Sequence, residues 1–545
     1  MEGRAGPACP TPGGQGRRPA DSLRADHSKN TEVIILQSNP PTAVEFHNIT
    51  KTFGSTVANR NVSLDLRKGE ILSLLGENGS GKTTLMNMLA GIYFPDSGHI
   101  TVNGREVAIR SPKDAFDLGI GMIHQHFKLV DVFTAAENIV LGLHEKGRFD
   151  RRAIARQIRE ISARYGFDLD PDRRICDMAV SEKQTVEIIK VLYRGADVLI
   201  LDEPTAVLTP QETEKLFQVL RNMKADGKSI VIITHKLSEV MAISDRVAVL
   251  RKGEYIATLD TKDTDPQALT DRMVGRAVTL NIDRPAPRDP QERLVVDRLT
   301  CTDGEGVKVL DNVSFTANGG EILGIAGIAG SGQRELCEAI AGLYPVEGGR
   351  ILYNTPEDPS EYENLVGMSP GRIRSLGVSL AFVPEDRLGM GLVGSMGMIG
   401  NMMLKTYGKG RHIFLETRPS RDLAQEIMEK LEVAAPSIDT PVRRLSGGNV
   451  QKVLVGREIA SAPSVLMAAY PVRGLDINAS YTIYRLLNEQ KAKGVAVIYV
   501  GEDLDVLLQL CDRILVLCGG KVSGIADGRT VTKEEVGLLM TQTGG

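Results

Sequence analysis

Short apolar runs alternate along the chain with longer segments in which apolar residues recur at the spacing of a helix. Residues 198–201, 230–233 and 247–250 are such runs, whereas residues 212–223 show the helical spacing with charged residues in between. Apolar runs separated by helices are typical of the buried strands of a parallel sheet. The pattern therefore predicts an α/β protein whose core sheet is mostly parallel.

One long segment of the chain occurs twice. The sequence EILSLLGENGSGKTT at residues 70–84 has a counterpart, EILGIAGIAGSGQRE, at residues 321–335. Further along, RVAVLRKG at residues 246–253 is matched by RILVLCGG at residues 513–520. Similarity over this length indicates duplication of a whole domain rather than a short solenoid repeat.

The boundary between the two halves is predicted in a polar segment rich in proline. Residues 283–290 read DRPAPRDP, with three prolines that disfavour a helix or a central strand. We expect a first domain at residues 42–281, a linker at residues 282–292 and a second domain at residues 293–545. Residues 1–41 are rich in Pro, Gly and Arg and are expected to form a flexible N-terminal extension.

Composition narrows the class of protein. The 545 residues are 42% hydrophobic and 25% charged, which is typical of a globular protein, and 65 Lys and Arg against 69 Asp and Glu leave a net charge of -4. This balance gives no overall field that would attract nucleic acid. The six cysteines are scattered without a CxxC pair, which favours reduced thiols in a cytosol. Because no apolar stretch is long enough for a transmembrane helix, a membrane role would have to come through a partner.

The first copy of the repeat contains a phosphate-binding loop. GENGSGKT lies between an apolar strand and a helical segment, which is the context that a P-loop requires. Its glycines allow backbone N–H groups to curl around phosphates, Lys82 can reach the outer phosphates, and Thr83 can ligate Mg2+. We therefore predict ATP and Mg2+ as ligands. The residues predicted to bind them here are Gly76, Glu77, Asn78, Gly79, Ser80, Gly81, Lys82, Thr83 and Thr84.

Two further apolar strands of the first half end in residues suited to hydrolysis. VLILDEP ends in Asp202, which suits the Mg2+ shell, and in Glu203, which suits polarisation of an attacking water. VIITH ends in His235, which can reach the γ-phosphate or serve the fold alone. Gln125, within the sequence MIHQHF, is equally ambiguous when taken singly.

The order of these pieces resembles the ATP-binding-cassette family, whose motifs run P-loop, glutamine loop, signature, Walker B, D-loop and switch histidine. The most specific piece is LSGGNVQ at residues 445–451, which resembles the cassette signature that meets the γ-phosphate bound by the opposite cassette. The resemblance covers about residues 44–524. It implies two P-loop cassettes in tandem, each with a parallel-rich core sheet, an antiparallel β subdomain and a helical subdomain.

The resemblance also assigns roles to the candidate residues. It implies that the signature residues Ser446, Gly447 and Gly448 contribute to ATP binding. It implies that Phe53 stacks on adenine, although Phe53 would fit the core of a β-strand equally well. The catalytic set that it implies is Glu203, His235, Gln125 and Lys82, and the implied metal ligands are Thr83, Gln125 and Asp202.

The second half has lost the hydrolytic residues. Lys82 and Thr83 are matched there by Gln333 and Arg334, Asp202 and Glu203 by Ala469 and Tyr470, His235 by Glu502, and Gln125 by Glu385. An acid facing phosphates repels them, so hydrolysis is not expected in the second half, whereas nucleotide binding is left open. The first-half signature is also eroded, with Ala179 in place of its serine. Because cassettes of this family pair head to tail, we expect one hydrolytic site and one structural or regulatory site.

Other motifs resemble those of one group of transporters. PEDR in the second half and TAVLTPQE after Glu203 are similar to the ATPase subunits of bacterial sugar and nucleoside importers. HQHFKLV at residues 124–130 favours the nucleoside type, with a ribose or galactose importer as the alternative. The implied partners are two transmembrane permease subunits and an extracellular lipid-anchored substrate-binding protein, without nucleic acid. The chain would then be a peripheral protein at the cytoplasmic face of the cell membrane.

Two other classes of protein fit the sequence less well than a transport ATPase does. Soluble tandem-cassette proteins that act on ribosomes or DNA usually have a long charged helical linker or inserted coiled coils, whereas this linker is short and broken by proline. A non-hydrolytic regulator would fit the eroded first signature, but the expected hydrolytic site does not use that signature. An ATPase coupled to transport is therefore the expected function.

Overall fold

Two sheets form the first half of the chain. The computed structural model describes residues 41–54, 56–124, 127–143, 150–206, 208–275, 282–287, 290–328, 330–355, 361–375, 380–384, 386–405, 416–473 and 475–542. The strands of the first half are β1 (Thr42–Phe53), β2 (Thr56–Arg67), β3 (Ile71–Leu75), β4 (Ser97–Val102), β5 (Arg105–Val107), β6 (Ile120–Ile123), β7 (Val198–Asp202), β8 (Ser229–Thr234), β9 (Arg246–Arg251) and β10 (Glu254–Asp260). An antiparallel sheet has the order β2-β1-β4-β5, and a larger sheet has the order β10-β9-β3-β8-β7-β6. All neighbours in the larger sheet are parallel except β9 and β10.

Helices cover the larger sheet and form a separate layer beside it. They are α1 (Lys82–Leu89), α2 (Pro112–Asp117), α3 (Ala135–Val140), α4 (Arg151–Tyr165), α5 (Val180–Tyr193), α6 (Pro210–Ala225), α7 (Leu237–Ile243) and α8 (Pro266–Val274). Several of them begin at a capping residue: before α6, Thr209 accepts a hydrogen bond from the backbone N of Glu212 and is followed by Pro210. Helices α3, α4 and α5 share a small core of their own, which includes Ile139 and Ile158.

The second half repeats this topology. Its strands are β11 (Gln291–Thr302), β12 (Lys308–Gly319), β13 (Ile322–Gly327), β14 (Gly348–Asn354), β15 (Tyr362–Asn364), β16 (Leu380–Val383), β17 (Val465–Ala469), β18 (Ala496–Val500), β19 (Arg513–Cys518) and β20 (Lys521–Asp527). Its helices are α9 (Gln333–Ile340), α10 (Pro370–Ser375), α11 (Met398–Met403), α12 (Arg418–Lys430), α13 (Gly447–Ala460), α14 (Ile477–Ala492), α15 (Leu504–Leu510) and α16 (Lys533–Leu539). The sheets have the orders β12-β11-β14-β15 and β16-β17-β18-β13-β19-β20, which match the first half strand for strand. The predicted α/β class with a parallel-rich core sheet in each half is confirmed.

The core of the first half lies on both faces of the larger sheet. Every residue of β3 is buried. Leu72 and Leu74 pack in the cluster that contains Leu85 of α1 and apolar residues of the antiparallel sheet, whereas Ile71 packs in the cluster with α5 and α6. Alternate residues of a strand point to opposite faces, so a strand covered on both faces is apolar at nearly every position, as β3 is except at Ser73. This explains the uninterrupted apolar runs of the sequence and places the end of β3, where the P-loop begins, in the centre of the sheet.

The segment between the halves is attached to the second half. Arg284 Nη1 donates hydrogen bonds to the backbone oxygens of Leu508, Cys511 and Gly528 at 3.0, 2.6 and 3.0 Å. Residues 282–287 contain no helix or strand, as the prolines predict, while β11 already includes the last two residues assigned to the linker. The domain boundaries themselves stay predictions, and the predicted extension lies, apart from its last residue, outside the described part of the chain.

The two halves contact each other near a local two-fold axis. Residues 41–545 group into one compact unit, in which Ser238 Oγ lies 3.2 Å from Asp505 Oδ2. These two residues occupy matching positions in the repeat, and matching residues meet across an interface only close to a two-fold axis. Gln211 Nε2 also donates to the backbone oxygen of Glu534 at 3.0 Å. Among the described residues, no helix combines the length and apolar character that spanning a membrane requires.

Candidate active site

The predicted phosphate loop links the buried end of β3 to the start of α1. Gly79 and Gly81 have φ angles of 80° and 94°, a region that favours glycine. A side chain at Gly81 would also place its Cβ 2.3 Å from the backbone oxygen of Ala58. Position 81 therefore requires glycine, both because its φ is positive and because a side chain would clash with the backbone of Ala58. The resulting loop leads into the N-terminus of α1, where backbone N–H groups favour an anion.

The lysine of this loop is held inside it. Lys82 is 6% exposed, and its Nζ donates to the backbone oxygens of Gly76 and Glu77 at 2.7 and 2.9 Å. Burial lowers the pKa of Lys82, while the carboxylates of Glu203, Asp202 and Glu77 act in the opposite direction. Within the described part of the chain, the buried Ser80 Oγ has no hydrogen-bond partner. A buried cation and an orphaned hydroxyl in one loop fit a bound phosphate group.

Thr83 and Asp202 come together although they lie far apart in the sequence. A hydrogen bond from the Thr83 side chain lowers the pKa of Asp202, but burial outweighs it and raises that pKa to about 6. The hydroxyl stands at the start of α1 and the carboxylate at the end of β7, two strands away from β3 in the sheet. Hydroxyl and carboxylate oxygens are donors that Mg2+ prefers, so these two residues fit the predicted metal.

Glu203 and His235 form a pair beside Asp202. Glu203 Oε1 lies 3.1 Å from His235 Nδ1, and the hydrogen bond from His235 is the main cause that lowers the pKa of Glu203. Glu203 has a φ of 48°, a strained value for a residue with a side chain. The turn follows β7, and its carboxylate meets the histidine that follows β8. An ionised carboxylate held in this way can accept a proton from water.

The second half keeps the backbone of this site but not its side chains. Tyr470, which stands where the first half has Glu203, has a φ of 49°, and its N–H donates to Val500 at 2.8 Å, as Glu203 donates to Ile233 at 2.9 Å. Arg473 lies 3.6 Å from Glu502, which stands where the first half has His235. The acid and the base of the first half are thus replaced by a tyrosine and an arginine–glutamate pair.

The two signature segments begin helices with different caps. In the second half, Ser446 Oγ accepts hydrogen bonds from the backbone N and the side-chain Nδ2 of Asn449, at 3.4 and 2.9 Å. In the first half, Ala179 has no hydroxyl to offer, and the Glu182 carboxylate accepts from the backbone N of Ala179 at 2.7 Å. The cap of α5 is thus a carboxylate, which Arg173 pairs, whereas the cap of α13 is a neutral hydroxyl. A cation lies beside the α13 N-terminus, because a Cβ at Gly447 would be 3.2 Å from Arg387 Nη1, and this favours an anion there.

A cavity of about 890 Å³ lies between the two halves. Glu77, Glu203 and His235 line it from the first half, and Tyr470 and Asp476 line it from the second. Burial, and then the negative charge of Asp476, raise the pKa of Glu77. The predicted ligands Ser446, Gly447 and Gly448 are not among the described residues that line this cavity. The signature nevertheless borders it, because a Cβ at Gly448 would lie 3.8 Å from Asp476 Oδ2.

The remaining predicted site residues are Gln125 and Phe53. Gln125 lies outside the described residues, as does its second-half match Glu385, so the predicted roles of Gln125 stay predictions. Phe53 is 43% exposed, and its ring contacts Tyr93 edge to face with 5.1 Å between centroids. Lys51 Nζ also lies over this ring, 5.6 Å from its centroid. An exposed ring of this kind is not a core aromatic, and its stacking on adenine stays a prediction.

None of the sequence motifs includes a group of polar residues that lies behind the Glu203–His235 pair. Glu239 is buried and contacts the side chains of Thr205 and Thr234. A signal for this group exists in the sequence, because the matching positions of the second half are all changed, to Val506, Val472 and Gly501. A comparison of the two repeats beyond the known motifs would have found it.

Comparison with known proteins agrees with this arrangement. A family model described as ABC transporter matches residues 59–206 and again residues 310–471, which together cover more than half of the chain. The chain belongs to the ABC transporter family. Its members include the guanosine import ATP-binding protein NupO of Bacillus subtilis, 43% identical over 91% of this chain and 97% of that protein. The nucleoside import ATP-binding protein NupA of Lactococcus lactis is 42% identical over 92% of this chain and 98% of that protein.

Sugar-import proteins of the same family are similar to a lesser degree. The ribose import ATP-binding protein RbsA 1 of Streptomyces avermitilis is 38% identical over 93% of this chain and 95% of that protein. The predicted kinship with tandem-cassette importer subunits, and within them with the nucleoside type, is therefore confirmed. The archaeal ribosome recycling factor aABCE1 has a similar fold, with a TM-score of 0.55, 16% identity and coverage of 86% of this chain and 87% of that one. That likeness concerns the fold alone.

Proposed function

We propose that this ABC protein hydrolyses ATP at one site, which is built on its first half, and that this hydrolysis drives a membrane importer for nucleosides. One observation carries the proposal. In the first half, the buried Lys82, the Thr83–Asp202 contact and the Glu203–His235 pair assemble at one edge of the sheet. In the second half the same backbone carries none of these side chains.

The assembled residues suit the transfer of a phosphoryl group to water. Lys82 would bind the outer phosphates, and Glu203, oriented by His235, would accept the proton of the attacking water. Thr83, Asp202 and the predicted ligand Gln125 would hold Mg2+, which neutralises charge on the phosphate oxygens when it is bound. Catalysis of this type consists mostly of positioning and charge stabilisation, and fixed, partly buried groups favour both.

We infer that the hydrolytic site is completed by the second half. Ser446, Gly447 and Gly448 at the N-terminus of α13 would meet the terminal phosphate across the cavity. The contact between Ser238 and Asp505 supports this inference, because it indicates the two-fold arrangement in which each P-loop faces the signature of the other half. The other combination pairs Gln333 with the Glu182-capped helix, which favours a site without hydrolysis.

Substitution of matching residues in the two halves tests the proposal. Glu203→Gln removes the base and is expected to abolish steady-state ATP turnover. Tyr470→Phe at the matching position is expected to leave most of the turnover intact, because no base is lost. The purified full-length chain would be assayed for phosphate release. Equal losses from the two variants would contradict a single hydrolytic site.

Exposed apolar residues recur at matching places in the two halves and support permease binding. Val130 and Phe133 precede α3, Val393 and Met396 precede α11, and all four are between 36% and 41% exposed. The two loops share a structure, since Val130 N donates to Asn138 at 2.7 Å and Val393 N donates to Asn401 at 2.8 Å. The second half has therefore kept this surface while losing its catalytic residues. Two such surfaces suit two permease subunits.

The finer partners and the location belong to the same proposal. The chain would be peripheral, held at the cytoplasmic face of the cell membrane by the permeases, and it would act with an extracellular lipid-anchored binding protein and without nucleic acid. Affinity purification of the tagged chain from gently solubilised membranes tests this. Polytopic permeases and a lipoprotein are the expected companions, whereas ribosomal or DNA-repair proteins without a permease would contradict the proposal.

The proposed cargo is a nucleoside, with a monosaccharide as the alternative. The proposal is supported by greater identity to the guanosine and nucleoside import proteins than to the ribose import proteins. Uptake of radiolabelled nucleosides and sugars would be compared in cells with and without this subunit. Loss of pentose or hexose uptake with normal nucleoside uptake would favour the alternative.

A further inference from the structure

A buried carboxylate lies behind the Glu203–His235 pair. Glu239 of α7 is 8% exposed, and each of its oxygens accepts a hydrogen bond from a threonine hydroxyl. Thr205 donates to Oε1, and Thr234 donates to Oε2 at 3.0 Å. Lys236 Nζ lies 3.2 Å from Oε1 and balances the charge. The carboxylate is thus fully paired, as a buried charge must be to be tolerated.

The partners of Glu239 flank both members of the Glu203–His235 pair. Thr205 follows Glu203 after a single proline, and Thr234 directly precedes His235. The Thr234 hydroxyl also accepts a hydrogen bond at 3.1 Å from the backbone N of Lys236, which directly follows His235. The peptide that carries His235 is therefore fixed on both sides. One carboxylate joins this peptide to the turn that carries Glu203.

The second half shows that the fold itself does not require this network. Its matching residues are Val472 for Thr205, Gly501 for Thr234, Asp503 for Lys236 and Val506 for Glu239. The turn nevertheless has the same conformation, with a φ of 49° at Tyr470 against 48° at Glu203. The network is thus absent from the half that has lost its hydrolytic residues and present in the half that has kept them.

We propose that Glu239 is a positioning residue for ATP hydrolysis, which holds Glu203 and His235 at their 3.1 Å separation through Thr205 and Thr234. This inference rests on the proposed hydrolytic role of the first half. Glu239 itself touches no reacting atom. Its effect is to fix the distance and direction of the groups that do, and small displacements of such groups slow the chemical step.

Three variants of the full-length chain test the positioning role. Glu239→Val introduces the second-half residue and is expected to lower kcat about 10- to 100-fold through misplacement of the Glu203–His235 pair. The KM for ATP is expected to stay within about twofold, because the P-loop is untouched. Glu239→Gln is expected to restore most of kcat, since a carboxamide can accept from one hydroxyl and donate to the other. The double variant T205V/E239V removes both partners of one hydrogen bond.

The double variant separates positioning from stability. Compared with Glu239→Val, the double variant leaves no orphaned hydroxyl at position 205, so its thermal stability is expected to recover in part. Thr234 and Lys236 lack their carboxylate partner in both variants. The kcat of the double variant is expected to stay as low as that of Glu239→Val, because the connection is still missing. A purely structural role for Glu239 would instead restore kcat together with stability.

Glu45 provides a matched control. Its carboxylate also bridges two threonine hydroxyls, those of Thr42 at 2.6 Å and Thr101 at 3.2 Å, but in the antiparallel sheet away from His235. Glu45→Val is expected to change thermal stability without changing kcat. A loss of kcat in this control equal to that in Glu239→Val would overturn the proposal.

The outcomes distinguish this inference from the proposed function. If the wild type hydrolyses ATP, Glu203→Gln does not, and Glu239→Val keeps the wild-type kcat, the positioning role is wrong while the proposed function stands. Recovery of kcat in T205V/E239V would likewise overturn the positioning role and leave the proposed function intact. A wild-type chain without ATPase activity would overturn the proposed function and, with it, the inference.

Discussion

At the scale of single residues, the halves show how a side chain can be exchanged without disturbing its loop. Lys82 Nζ donates to the backbone oxygen of Glu77 at 2.9 Å, and Gln333 Nε2 donates to the matching oxygen of Ile328 at 3.2 Å. Both side chains are buried. The glutamine supplies the hydrogen bond that the loop needs but not the charge that a phosphate needs. Glutamine at this position thus keeps the hydrogen bond within the loop and loses the binding of phosphate.

This exchange predicts the behaviour of Lys82→Gln. The variant is expected to keep its unfolding temperature, because glutamine can donate to Glu77 as Gln333 does to Ile328. Loss of a charge-assisted contact worth about 1.5–3 kcal/mol should weaken ATP binding about 10- to 100-fold. Titration with a fluorescent ATP analogue measures this. Gln333→Lys is the reciprocal control and should not raise ATP turnover, since Tyr470 and Glu502 remain.

Asp202 predicts an unusual dependence of stability on pH. Burial raises its pKa from 3.8 to about 6, so between these values the folded chain binds more protons than the unfolded chain. Stability therefore falls as pH rises through this window, and the cost of the buried charge is fully present above pH 6. Asp202→Asn removes that cost. In metal-free buffer at pH 7.5 it should raise the unfolding temperature by about 2–4 °C.

The comparison with acid pH provides the control for Asp202→Asn. The gain in unfolding temperature should shrink as pH falls to and below the ordinary pKa of aspartate, because the wild-type carboxyl then becomes neutral in both the folded and the unfolded state. Thermal unfolding of both proteins at a series of pH values measures this. A gain in unfolding temperature that does not change with pH would show that it comes from packing rather than from the charge.

At the scale of elements, the two signature helices differ in how they begin. Ser446 caps α13 through its hydroxyl, whereas Ala179, which precedes α5, has no hydroxyl and is bonded instead by the carboxylate of Glu182. The rest of the two helices is similar, since each is long, is partly buried and packs in the helical layer of its own half. The capping residue is therefore the difference that bears on phosphate binding.

Exchange of the capping residues predicts opposite results in the two halves. Ser446→Ala is expected to destabilise the chain by about 1 kcal/mol and to lower ATP turnover, because it removes both a helix cap and the proposed phosphate contact. Ala179→Ser is expected to stabilise α5 without raising turnover, because the P-loop that it faces has Gln333 in place of lysine. Chemical denaturation and phosphate release measure the two effects. Higher turnover in Ala179→Ser would contradict the proposed pairing of the sites.

At the scale of the whole molecule, the two halves share their fold and their exposed apolar loops but not their catalytic residues. Strand order and the position of exposed apolar loops are the same in the two halves. The catalytic side chains are not. A protein that binds two similar permeases needs two docking surfaces, but one site can supply the hydrolysis. The second half has accordingly kept its exposed apolar loop and lost its hydrolytic residues.

The docking surfaces predict symmetric effects from matched substitutions. Phe133→Asp and Met396→Asp each place a charge in a proposed permease-binding loop, and each is expected to reduce the permease recovered with the chain at least about tenfold. Quantitative mass spectrometry of the purified complex measures the recovery. Val307→Asp is the control, since Val307 is 59% exposed on a turn of the second half. Retention of permease by both loop variants would contradict the proposed surface.

The chemistry of the site was predictable because it is encoded in short segments. The P-loop, the acids that end β7 and the histidine that ends β8 each have a local signature, and the α/β class follows from the apolar runs. The duplication and its losses are visible in the same way, by aligning one half with the other. The role of Gln125 could be predicted from the motif order alone, and it stays a prediction.

Contacts between distant segments were decided only by the tertiary structure. The hydrogen bond of Thr83 to Asp202, the pair formed by Glu203 and His235, and the attachment of Arg284 to three carbonyls all join residues with no common local pattern. The same is true of Glu239, whose threonine partners lie in the turn after β7 and at the last residue of β8. The sequence alone determined which chemical groups the chain carries and which half has lost them. Their distances, and the burial that shifts their pKa values, exist only once the sheet has brought its strand ends together.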